Sequence, residues 1–132
     1  MKKLLILITM VCIISCSSDD TNFALHLAPI EEAEVPESFT YRSLDTISIS
    51  YKLPNTSYAL YDVVYTYQDT ARVVAVELIE DIEQNSQNDT IVERITIPIR
   101  VTQRENYLFK FYKGKDSIGN NIFEEIEVPV IE

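Results

Sequence analysis

An all-β protein, an antiparallel immunoglobulin-like β-sandwich of about six or seven strands, is what this chain predicts. Apolar residues recur with a period of two over most of its length, most clearly between Thr90 and Thr102. Turn-forming clusters such as Pro54-Asn55-Thr56-Ser57 interrupt these runs at regular spacing. No segment after the N-terminal apolar run carries a convincing helical stripe. A barrel is the alternative architecture. The chain lacks tryptophan and has no cysteine pair late in its length, so strand number and spacing carry the expectation.

The chain begins with Met1-Lys2-Lys3 and an apolar stretch from Leu4 to Ile14 interrupted only by Thr9. That stretch is about half the roughly 20 residues needed to span a bilayer as a helix. A signal is therefore the better reading than a spanning anchor. Ile13-Ile14-Ser15-Cys16 places a branched apolar residue three before a cysteine and a small residue just before it. This resembles the lipobox of bacterial lipoproteins. Ordinary secretory cleavage before Cys16 would need a small residue where Ile13 stands. The resemblance implies removal of residues 1–15, acylation of the Cys16 thiol and acylation of the new amine. Several acyl chains suffice for stable anchoring.

On that reading Cys12 leaves with the signal and Cys16 is consumed by lipid, so no disulfide remains. The domain must hold together by burial, which a hydrophobic content of 46% permits. A formal net charge of −10, more negative still without Lys2 and Lys3, repels phosphate backbones and anionic headgroups. Nucleic acid is excluded as a partner, and membrane contact is expected through the lipid anchor alone.

Residues 16–38 read as an acidic tether carrying Asp19, Asp20, Glu31, Glu32, Glu34 and Glu37 with Pro29 and Pro36. Ser17-Ser18-Asp19-Asp20 resembles the acidic export signal after the lipidated cysteine of Bacteroidota lipoproteins displayed on the cell surface. Phe23, Leu25 and Leu27 alternate and would serve as an edge strand.

The sandwich is expected over residues 39–132. Ile47, Ile49, Tyr51 and Leu53 alternate with polar residues, as in a half-buried strand. Tyr58 to Tyr67 is aromatic and β-branched with Asp62 as its one charge, which predicts cover on both faces. Val73 to Ile82 fits a strand or a helical stripe, and its Val-Val-Ala-Val start decides for strand. Glu83 to Asp89 is polar and short enough to join it to the next strand as a hairpin. In that next strand Pro98 lacks an N–H and demands an edge or a bulge. Tyr107, Phe109 and Phe111 form one aromatic face, a loop spans Lys113 to Asn121, and a last strand from Ile122 carries Pro129.

The inventory for catalysis is thin, and no enzyme is expected. His26 is the sole histidine and falls in the expected tether, away from any scaffold. Without a fixed histidine, serines and threonines have no general base. Glu124 and Glu125 point to opposite faces of one strand and make no acid–base pair. Asp116, Asn120 and Asn121, or Glu80, Glu83 and Asp89, supply hard oxygens but lack the ligand spacing of a calcium loop; turn chemistry accounts for them better. No metal or cofactor is assigned. Tyr58, Tyr61, Tyr65, Tyr67, Tyr107 and Tyr112 would stack sugars if one row faced outward, and otherwise belong to the core.

Asp45-Thr46-Ile47, Asp69-Thr70-Ala71, Asp89-Thr90-Ile91 and Asp116-Ser117-Ile118 repeat an Asp, hydroxyl, aliphatic triplet. It resembles the O-glycosylation sequon of exported Bacteroidota proteins, which implies glycans on Thr46, Thr70, Thr90 and Ser117. Asp in turns and Thr at strand starts also produce the triplet for structural reasons.

Finally, Tyr107-Leu108-Phe109-Lys110-Phe111-Tyr112-Lys113-Gly114-Lys115-Asp116, Gly119-Asn120 and Ile126-Glu127-Val128-Pro129-Val130 resemble the closing hairpin of NigD-like lipoproteins. That family has a lipidated N-terminus, a small barrel domain and a C-terminal β-sandwich. Here the tether leaves no room for the barrel, and Tyr112 stands where that family usually has tryptophan. The resemblance implies a fold and an outer-membrane address, with no catalytic residues and no cofactor. The expectation is a non-catalytic, surface-displayed lipoprotein whose sandwich binds or supports another envelope component, a protein or a glycan. The alternative is an immunity or inhibitor protein, its acidic surface suited to a basic toxin or enzyme.

Overall fold

A computed structural model describes residues 22–132. It contains ten strands: β1 (Phe23–Ala28), β2 (Ile30–Glu34), β3 (Phe39–Thr40), β4 (Leu44–Leu53), β5 (Tyr58–Gln68), β6 (Ala71–Asp81), β7 (Ile91–Arg100), β8 (Tyr107–Lys115), β9 (Asn121–Val128) and β10 (Val130–Ile131). The all-β expectation holds, and the described residues contain no helix. Cys16 and the lipobox lie outside the described residues.

One sheet is built around β6. β5 runs antiparallel along one edge, from Tyr58 against Glu80 to Gln68 against Ala71. The other edge is shared end to end. β1 pairs antiparallel with Val76–Asp81, while β8 pairs in parallel with Ala71–Val74 and carries β9 outside it. The sheet is therefore mixed, which corrects the wholly antiparallel expectation. Pro29 explains the handover at Ala28. It cannot donate to the ladder, so the chain leaves β6 there and enters the second sheet as β2. Gly114, at a φ of 111°, lies where an added Cβ would meet Pro29 Cγ at 3.6 Å. A bulge between Tyr112 and Gly114 bends β8 at the same place.

The second sheet runs β2-β4-β7, antiparallel throughout. Pro98 sits on β7, an edge strand, in keeping with its missing donor. Pro129 divides the expected last strand. Its carbonyl accepts from the Phe39 amide at 2.8 Å, and β10 beyond it pairs in parallel with β3.

The core lies between these layers. β4 contributes Ile47, Ile49, Tyr51 and Leu53, β6 contributes Val74, Val76 and Leu78, and β8 contributes Tyr107, Phe109 and Phe111. Phe109 stacks between Tyr107 and Phe111 at 5.9 and 5.7 Å, and Phe39 meets it edge-on at 6.0 Å. Each such buried ring is worth about 1.5–3 kcal/mol over an exposed one. Tyr51 buries its ring and donates its hydroxyl to Glu93 Oε2 at 2.6 Å, which satisfies the one polar atom it brings inside.

Three further expectations are corrected. Phe23–Ala28 and Ile30–Glu34, expected within the acidic tether, are β1 and β2, one strand in each sheet. The glutamates of β2 stay exposed on an edge while Ile30 is buried, and Glu31 and Glu34 pair with Lys52 and Arg94. Charge on an edge strand blocks pairing with other chains, so acidity here is compatible with a strand. β5 is an edge strand with Tyr61 57% and Tyr67 72% exposed, not a strand covered on both faces. A bulge at Leu60/Asp62 marks the same edge. Lastly, β6 and β7 belong to different sheets, so Glu83 to Asp89 crosses the sandwich instead of closing a hairpin.

Candidate binding site at the arginine-rich end

The β5–β6 hairpin turns through Asp69 and Thr70, with Asp69 at a φ of 54°, a left-handed conformation that Asp tolerates better than most residues. The tight turn sets Tyr67 directly across from Arg72, and its ring lies 4.2 Å from the guanidinium carbon. From the adjoining start of β8, Tyr107 lies 4.9 Å from the same carbon. Arg72 is thus held between two tyrosine rings, an attraction that grows as water is excluded.

Arg72 is only 4% exposed. Its Nη1 donates to the Ala71 carbonyl at 3.0 Å and the Asp69 carbonyl at 3.3 Å, and Nη2 donates to Gln103 Oε1 at 2.7 Å. Gln103 in turn donates from Nε2 toward the Thr70, Glu105 and Asn106 carbonyls. The network ties the hairpin turn to the loop between β7 and β8. Among the described residues no carboxylate forms an ion pair with Arg72. A buried charge without a counterion is costly, and carbonyl dipoles and ring faces only partly offset it.

A cavity of about 340 Å³ opens over this group, lined by Tyr65, Tyr67, Arg72, Arg100, Thr102 and Tyr107 among others. Burial pushes the Tyr65 phenol up to about 12, with the nearby Arg72 charge acting in the opposite direction. Arg100, exposed on the β7 edge, also lines a neighbouring hollow with Tyr41 and Arg42. Arg42 and Arg104 both lie over the Tyr41 ring, at 5.2 and 4.3 Å, and Arg104 pairs with Glu132. Every arginine of the chain except Arg94 therefore gathers at this end of a protein of charge −10. Positive potential focused in a cleft draws anions.

A larger groove of about 400 Å³ crosses the outer face of the second sheet. Its Lys52 and Arg94 are paired with Glu31 and Glu34, so its cations are already matched. The arginine-rich end is the better site.

The residues singled out from sequence are dispersed. Thr46 is on β4, Thr70 in the β5–β6 turn, Thr90 just before β7 and Ser117 in the β8–β9 turn, and all are exposed. Their aspartates shape backbone: Asp45 accepts from the Thr46 amide at 2.8 Å, and Asp116 from the Ile118 and Asn120 amides at 3.0 and 2.9 Å. Among the described residues no three His, Cys, Asp or Glu side chains converge as metal ligands.

His26 corrects its sequence reading. β1 holds it on the first sheet, with Nε2 2.7 Å from Glu80 Oε2 and its ring 5.6 Å from that of Tyr58. Burial and then the Glu80 carboxylate raise the Tyr58 phenol above its usual value. Among the described residues no serine or threonine hydroxyl hydrogen-bonds to His26.

Sequence reasoning missed Arg72. The available signal was a lone cation at the start of Ala71-Arg72-Val73-Val74-Ala75-Val76, a run otherwise suited to a central strand. Compared with known proteins, the chain matches no family model, no curated protein and no solved structure.

Proposed function

We propose that the chain is a non-catalytic lipoprotein of the cell envelope, anchored at the outer membrane through Cys16 and facing the cell exterior, whose β-sandwich is a binding module. Support for the address comes from Ile13-Ile14-Ser15-Cys16 and the acidic residues that follow. The resemblance of Tyr107 to Val130 to NigD-like lipoproteins points the same way. Support for binding comes from one observation: Arg72 is buried between Tyr67 and Tyr107 with no carboxylate partner among the described residues, in a cavity with Arg100. A closed structural contact needs no such opening, whereas a recognition site does.

The test is affinity capture of the native, membrane-anchored protein from its own envelope, comparing wild type with a Tyr67→Ala/Arg100→Gln double variant. An envelope component retained by wild type and lost by the variant supports the reading. Retention equal in both removes the arginine-rich end from binding. Selective capture of an exogenous basic toxin would favour the immunity reading instead.

A further inference from the structure

Resting on the binding-module reading and naming its ligand class, we infer that the cavity of Tyr67, Arg72 and Arg100 binds a carboxylated sugar, a uronic acid residue of a glycan. Its carboxylate sits on the guanidinium groups and its ring lies against tyrosine.

The charge requires an acid. Two arginines line the cavity, neither has an ion pair among the described residues, and no Asp or Glu shares its wall. The hydrogen bonds of Arg72 leave donors unspent. Nη1 and Nη2 hold the turn, while Nε is engaged by none of these bonds. No side-chain nitrogen or oxygen among the described residues is both enclosed and without a partner, so Nε is not sealed off from the cavity side. A planar guanidinium with donors unspent suits a carboxylate better than a point charge does.

The rings require a sugar. Tyr67 is 72% exposed beside the cation, with Tyr65 edge-on to it at 5.9 Å. A saccharide presents C–H groups to such a ring and hydroxyls to polar neighbours, and Tyr65 and Thr102 also line this cavity. A bare phosphate would use the arginines and leave the tyrosines idle. The volume of about 340 Å³ sits at the low end of small-molecule sites, suited to one sugar unit of a longer chain.

Isothermal titration of the mature lipidated protein in detergent, at low salt, tests this with three probes: a galacturonic acid trisaccharide, a neutral galactose trisaccharide and inorganic phosphate. The uronate should bind at least about tenfold tighter than the neutral sugar and than phosphate. Arg100→Gln and Tyr67→Ala, both at exposed positions that leave the core intact, should each weaken it by about tenfold. Equal binding of both saccharides, abolished by Tyr67→Ala, overturns the carboxylate claim and leaves the binding-module reading standing. Phosphate binding as tight as uronate, or no saturation with either sugar, overturns the inference outright. Envelope capture by the same end then decides the broader reading separately.

Discussion

His26 and Glu80 stand 54 residues apart in the chain and meet at 2.7 Å across the pairing of β1 with β6. The contact lies where β1 joins the central strand of the first sheet. The pairing of β1 with β6 makes a stretch that reads as a spacer part of the fold.

Hydrogen exchange checks this. The ladder-bonded amides of Phe23–Ala28 should be protected together with those of Ala71–Asp81, because both belong to one sheet. A mobile tether would exchange at once. His26→Ala should cost no more than about 1 kcal/mol, since the pair is partly exposed.

The aromatic core makes a steeper prediction. Phe109 is fully buried between two stacked rings. Phe109→Ala should destabilise the domain by about 3–5 kcal/mol in urea unfolding, a large share of the stability of a domain this size.

Arg72 makes a different one. Replacing it with methionine preserves bulk but strands Gln103 and the turn carbonyls, for a loss of about 1–3 kcal/mol in the same assay. Arg72→Lys should recover only part, because an ammonium cannot reproduce a planar fork.

Alkaline pH probes the same pocket. Burial lifts Tyr65 from 10.0 to about 12, so the folded state favours the neutral phenol. The resulting stability is fully present below pH 10 and is lost as the pH rises toward 12. Thermal unfolding across that window should show a steeper decline for wild type than for Tyr65→Phe. Parallel curves would mean that Tyr65 ionises as freely folded as unfolded.

Where alternation was uninterrupted, the strands were legible before the structure. Ile47 to Leu53 and Tyr107 to Phe111 bury the faces their patterns predict. Edges were harder. Glu31, Glu32 and Glu34 resemble solvated linker because an edge strand tolerates charge, and Tyr58 to Tyr67 resembles core because aromatic residues suit both settings. The end-to-end sharing of β6 by β1 and β8 depends on pairings far apart in sequence, which no local period encodes. The binding site was missed for a related reason. Arg72, Arg100 and Tyr107 lie on three strands and meet only after the hairpin and both sheets are assembled.

The cell-envelope address depends on attachment through Cys16, and metabolic labelling with a clickable fatty acid tests it most directly. Wild type should take up the label and fractionate with the outer membrane, and Cys16→Ala should do neither. Equal labelling of the two, or an unlabelled wild type, would contradict the account.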